Sequence, residues 1–220
     1  MHRLMMTSAT YRQASTMTPQ HEKLDPDNRL LSRMPLKRME AEAIYDTLLL
    51  VAGRLDETRF GTPDAVVARE DGLVTAAETK KGWRRSIYVR QRRTQIPTLL
   101  ETFDLPQMNP NCIERVDSTV APQALFLRNN ALVQGLAASF AARVENAVGT
   151  EPSRQIDEVY RIALNRPPSA EERKASVQAL ATLTEQWTRE LKGEPEAAAR
   201  RALAAYCHTI LNSAAFVYVD

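Results

Sequence analysis

The densest run of potentially reactive side chains is Lys80-Lys81-Gly82-Trp83-Arg84-Arg85-Ser86-Ile87-Tyr88-Val89-Arg90-Gln91-Arg92-Arg93, with seven cations, two aromatic rings and no acid. Cations interleaved with rings suit phosphate contact and base stacking, which makes nucleic acid one reading. Arginine forks grip sulfate as they grip phosphate. An anionic polysaccharide is therefore a second reading for Lys80, Lys81, Trp83, Arg84, Arg85, Tyr88, Arg90, Arg92 and Arg93. The third is a cationic strand whose arginines pair with carboxylates on neighbouring helices. The whole chain carries 29 Lys and Arg against 27 Asp and Glu, a net charge of +2. With no recognised nucleic-acid module, that balance favours structural pairing and makes nucleic acid the weakest reading.

Other constellations point to structure. Cys207 and His208 have the types of a nucleophile and a base, but neighbours on a helix diverge by about 100°. A core cysteine beside a surface or capping histidine is expected. Asp117-Ser118-Thr119 reads as a helix start, because no histidine is placed to serve a serine nucleophile. Glu40, Glu42 and Asp46 fall on one helix, and Glu42 and Asp46, four apart, would repel. Arg38, four before Glu42, makes a structural ion pair the default there.

Cofactor chemistry finds little support. The histidines are His2, His21 and His208, outside any HExxH or HxH pattern. The two cysteines, Cys112 and Cys207, form no CxxC, so a thiol redox motif and a four-cysteine zinc site are excluded. Without CxxCH, no c-type haem attaches covalently within these residues. Phosphate-cradling loops and the GxSxG nucleophile elbow are missing too. No catalytic, cofactor or metal residue is assigned.

The 220 residues are 44% hydrophobic and 25% charged, enough for one domain with a core plus an arm. Only 7 glycines argue against a turn-rich sandwich and for a helical chain. No stretch has the length of a membrane-spanning helix, and MHRLMMTSATYRQAS lacks a signal-peptide core.

The elements follow from periodicity. Residues 1–34 read as a polar arm, with Leu4, Met5 and Met6 in a short docking helix and a turn at Asp25-Pro26-Asp27-Asn28. A helix is expected over 35–55, with Pro35 in its first turn and Leu36, Met39, Ala43, Thr47, Val51 and Leu55 inward, Ile44 and Leu48 beside them. Its outer face would carry Lys37, Arg38, Glu42 and Asp46. Val66-Val67, Asp71-Gly72 and Val74-Thr75 predict a β-hairpin, with Ser86–Val89 as a third strand of a small ribbon within 64–93. Leu99, Leu100 and Phe103 would make one helical turn inside an irregular 94–117. Helices then dominate from 118. The first is capped by Ser118 or Thr119 and carries Leu125, Val133, Leu136, Phe140 and Val144 on one face. A second runs through Ile156, Val159 and Tyr160, and a third is opened by the capping box Ser169-Ala170-Glu171-Glu172. The last bears Ala202, Leu203, Tyr206, Ile210 and Leu211, and Phe216–Val219 forms an extended or irregular apolar tail. The fold class is mainly α: a bundle-like domain over 35–220 with an inserted β ribbon.

Six blocks in order complete the reading: HRLMMTSATYRQAS at 2–15, DPDNRLLSRMPLKRMEAEAIYDTLLLVAGRLD at 25–56, RRSIYVRQRR at 84–93, DSTVAPQALFLRNN at 117–130, LNRPPSAEE at 164–172 and LNSAAFVYVD at 211–220. This pattern resembles the C-terminal domain of unknown function in the large planctomycete cytochrome c-like proteins. The resemblance implies a longer exported, periplasmic or cell-envelope protein, with a signal sequence and often a haem c domain upstream. It also implies a second planctomycete-specific helical domain and, in some members, carbohydrate-binding-type modules. The chain begins inside a family block at His2-Arg3-Leu4, so it looks like a C-terminal fragment or a split gene product. Asn129, Arg166, Asn212 and Asp220 fall at expected helix ends or turns, where polar side chains close backbone groups. An ion-pair lattice of Arg38, Glu40 and Glu42 with Arg84 and Arg85 is also expected. The leading expectation is a non-catalytic module that packs on upstream domains of the same polypeptide, and an anionic-glycan surface on the Arg84–Arg93 ribbon is the alternative.

Overall fold

The computed structural model describes residues 1–92, 94–106, 112, 115, 118–192 and 194–219. Asp117, Gly193, Asp220 and Arg93 therefore lie outside the described residues. The chain is mainly helical, as composition and periodicity predict, and its strands form three two-stranded pairs among the described residues.

The core is a helical assembly built by the C-terminal half. Helix α6 (Ala131–Val148) buries Val133, Leu136, Ala137, Phe140, Ala141 and Val144, a spacing of threes and fours that draws one stripe down the helix. Helix α9 (Pro195–Leu211) answers with Ala198, Ala202, Leu203, Tyr206, Cys207, Ile210 and Leu211. Alanines on both stripes leave room for the large side chains, and Phe140 and Leu211 are fully buried. Helix α8 (Ala170–Glu190) lies on the other side of α9, while α7 (Pro152–Leu164) packs on α6 and α8 through Ile156, Val159 and Tyr160. The boundaries have local causes. Pro152 and Pro195 occupy first turns, where a missing N–H costs nothing. Asn165 ends α7 in the left-handed conformation, φ 52°. Ser169 accepts from the Glu172 N–H while the Glu172 carboxylate accepts from the Ser169 N–H, the reciprocal cap expected from the sequence.

Helix α3 (Ala41–Val51) closes the core from the N-terminal side. It is shorter than the expected 35–55 and its stripe is rotated. Ala41, Ile44, Tyr45, Leu48, Leu49 and Val51 are buried, whereas Ala43 and Leu36 are exposed. The residues before it are extended: Lys37–Arg38 form β1, antiparallel to β6 (Tyr218–Val219). Met39 continues the contact, its N–H donating to the Val217 carbonyl. The tail is thus helical at α10 (Ala214–Val217) and extended only for its last pair.

The single helix expected from 118 is two. Helix α5 (Ala121–Asn129) ends at Asn130, whose side chain accepts from the Leu132 and Val133 N–H groups and starts α6. Leu125 consequently points to solvent. Leu99, Leu100 and Phe103 are buried on and beside the short α4 (Thr98–Thr102), as expected.

The hairpin also forms as expected, with β3 (Val66–Ala68) antiparallel to β4 (Val74–Ala76) around Asp71-Gly72 at φ 82°. The third strand does not. Ser86–Tyr88 is a 3-10 turn, and Trp83–Arg84 form β5, parallel to β2 (Leu55–Asp56). The reason is at Gly82, φ 132°, where the backbone approaches so closely that a Cβ would sit 2.0 Å from the Arg54 carbonyl oxygen. That approach turns the chain away from the hairpin and onto α3. At the N-terminus, α1 (His2–Met6) and α2 (Pro19–Leu24) bury no residue, so the expected docking of Leu4, Met5 and Met6 is not realised. The arm instead closes on itself, with the Met34 N–H donating to the Ala14 carbonyl and the Gln13 amide to the Leu31 carbonyl.

Candidate functional site

The basic segment is anchored from below by Arg84. Strand β5 turns its side chain inward, where it is 6% exposed. Its Nε donates to both Asp64 oxygens at 3.1 and 2.9 Å, and Nη2 donates to Asp64 at 2.7 Å. Nη1 donates to the Phe60 carbonyl at 2.7 Å and Nη2 also to the Thr62 carbonyl at 2.6 Å. The guanidinium stands 4.7 Å from the Tyr88 ring centroid. These bonds engage four of the guanidinium's five N–H donors and give a buried charge the pairing it needs. Arg85 reaches back to Asp46 on α3 at 2.7 Å, and the Ser86 N–H donates to the same carboxylate. Half-buried Trp83 donates to the Ala76 carbonyl, and Arg54 covers its ring. Lys80, Lys81, Arg90 and Arg92 are exposed. The segment therefore splits into inner residues spent on the fold and an outer set of cations.

Beside it, Asp56 on β2 is 7% exposed and accepts from Thr58 Oγ1 at 2.6 Å, the Thr58 N–H at 3.0 Å and Thr79 Oγ1 at 2.8 Å. These donors favour the charged form and hold its pKa down at about 2. The carboxylate ties the loop after α3 to the turn before β5.

A second polar cluster centres on Arg38. Expected on an outer helix face, it is 5% exposed because β1 turns it inward. Its Nη2 meets Asp104 at 2.7 Å, its Nε donates to the Ser118 carbonyl, and its guanidinium lies over the Phe103 ring. Ser118 is not a helix cap, since its hydroxyl donates to Asp104 at 2.9 Å. Gln123 adds its amide to the Thr102 carbonyl and to Ser118 Oγ. The expected Arg38–Glu42 pair and the lattice with Arg84 and Arg85 do not form. Glu42 is gripped by both Arg115 terminal nitrogens at 2.8 Å, with Glu40 3.4 Å from Arg115.

The remaining candidates are structural. Cys207 is fully buried, and burial pushes its thiol well up from the ordinary range, the opposite of an activated nucleophile. His208 donates through Nε2 to the Leu127 carbonyl at 2.9 Å and links α9 to α5. Asn212 closes the end of α9 by donating to the His208 carbonyl, and Arg166 pairs with Glu172. The buried Tyr45 hydroxyl meets no partner among the described residues, and burial raises its pKa, so it is no acid–base group near neutrality. Among the described residues, no group of three or more metal-ligating side chains converges. A cleft of about 770 Å³ lies between α6, α7, α8 and α9, floored by Val177, Leu180 and Leu203 and edged by the Glu145–Arg200 pair. None of residues 80–92 lines it.

Sequence reasoning missed Asp64, Asp104 and Gln123, because each bonds a residue 5 to 66 positions away that no periodicity connects to it. Phe60-Gly61, a turn signal beside a large ring, was the available clue to the loop that Arg84 holds.

A family model described as PSD1, protein of unknown function (DUF1553), matches residues 1–180. The chain belongs to the PSD1 family. The PSD1 match covers the arm, β1 to β5 and α3 to mid-α8, while α9, α10 and β6 lie beyond it. No curated protein and no solved structure matches the chain. PSD1 membership agrees with the resemblance to a domain of unknown function.

Proposed function

We propose that this PSD1 chain is a non-catalytic C-terminal helical module of a longer exported polypeptide and packs on that polypeptide's upstream domains. The observation that carries the reading is the apolar surface of the arm. Leu4 is 77% exposed and Leu30 76%, with Met5, Met6, Tyr11 and Leu31 also in solvent. Large apolar side chains gathered on one short stretch of chain suit an interaction site, because leaving them in water is unfavourable. The non-catalytic part rests on Arg38, Arg84, Asp56 and Cys207, all of them engaged in holding the fold.

The test replaces Leu4, Met5 and Met6 with serine. The parent chain is expected to bind an apolar fluorescent dye and to self-associate as its concentration rises. The triple variant should do neither, at an unchanged thermal midpoint. A parent that binds no dye and stays monomeric overturns the proposal. So does a triple variant with a lowered midpoint, which would make the arm part of the core.

A further inference from the structure

Phe60 stands out from the rest of the surface. It is 81% exposed, yet its backbone sits at φ 67°, a region that bulky L-residues rarely adopt. Gly61 beside it, at φ 85°, could take such a conformation freely. The loop is not loose, because buried Arg84 holds the Phe60 and Thr62 carbonyls at 2.7 and 2.6 Å. The Asp64 N–H donates to the Tyr88 carbonyl and the Arg90 N–H to the Asp64 carbonyl, so this loop and the Ser86–Arg90 segment run side by side. Ile87, 78% exposed, rises from that neighbour. Arg59, next to Phe60 in the chain, and Arg90, three after Ile87, are both exposed, as is Glu57 two before Arg59; the carboxylates of Asp46 and Asp64 are already taken by Arg85 and Arg84.

We infer that the paired 59–64 loop and 86–90 segment form a binding surface for an anionic polysaccharide, with exposed Phe60 as the platform for a sugar ring and exposed Arg59 and Arg90 as the forks for its acid groups. The inference is independent of the packing role of the arm. It also moves the stacking ring away from Trp83 and Tyr88, both covered by arginines, to a residue outside the basic run. Rigid presentation favours stacking on a sugar over insertion into lipid. Two apolar side chains offer less than one acyl chain, which alone gives only marginal membrane binding.

The test measures binding of the full chain to polygalacturonate and dextran sulfate, with neutral dextran and phosphatidylglycerol vesicles as comparisons. Phe60→Asn separates binding from folding, since asparagine tolerates the left-handed backbone. It should weaken polyanion binding roughly tenfold, the size of one aromatic contact, while the thermal midpoint holds or rises. Arg59→Gln with Arg90→Gln should flatten the salt dependence. No binding to either polyanion overturns the inference, as does equal binding by Phe60→Asn, or retention on the vesicles alone. A loss on Lys80→Gln with Lys81→Gln as large as that on Phe60→Asn would also overturn it, by showing diffuse charge attraction.

Discussion

Asp56 illustrates how this chain uses a charged residue. Its carboxylate is met by two hydroxyls and one N–H, and its pKa falls from 3.8 to about 2. A depressed folded pKa adds stability that is present above pH 3.8 and is lost as pH falls through about 2. Asp56→Asn should therefore lower the thermal midpoint at neutral pH and flatten its fall between pH 4 and 2, which a set of melts across that range will show. An unchanged slope would place the acid sensitivity in other carboxylates, with Glu172 first among them. Residue types at this scale were legible, but their partners were not. Arg38 was read with Glu42, four positions away, and bonds Asp104 at 66. Nothing in a helical period reports a pairing made by a loop crossing the core.

Elements were more legible where their signals are local. The Ser169–Glu172 cap, the prolines opening α7 and α9, and the Asp71-Gly72 turn each act within a few residues, so sequence suffices. Ser169→Ala should cost about 1 kcal/mol by urea unfolding, the usual worth of such a cap. A loss below a few tenths would mean that tertiary packing alone sets the start of α8. The failures lie where tertiary contact outbids the local pattern. The stretch before Ala41 could continue a helix, but pairing with Tyr218–Val219 draws it into a strand. Ser86–Val89 has strand-forming residues, yet Gly82 and the Asp46 carboxylate redirect it into a 3-10 turn. Asn130 splits one apolar stripe into two helices because its side chain offers a better cap than a continuing turn.

Across the molecule, one buried apolar cluster includes residues from α3, β4, α4 and every helix from α5 to α10. The two tryptophans lie on different elements, Trp83 on β5 and Trp187 on α8, and both pack against that cluster. Trp83→Phe and Trp187→Phe variants should thus report the same urea midpoint after correction for their own stability. Separated midpoints would split the chain into two folding units. Mainly helical architecture was readable from composition because few glycines and long stripes leave little alternative. The β1–β6 pair has a mechanical meaning as well. Lys37 faces Val219, so the incoming and outgoing chain leave the body at the same end of an antiparallel pair. Tension along the polypeptide would open that pair one residue at a time, like a zipper, before it loaded the helices. Only two residues long, the pair would be the first link to yield under such a pull.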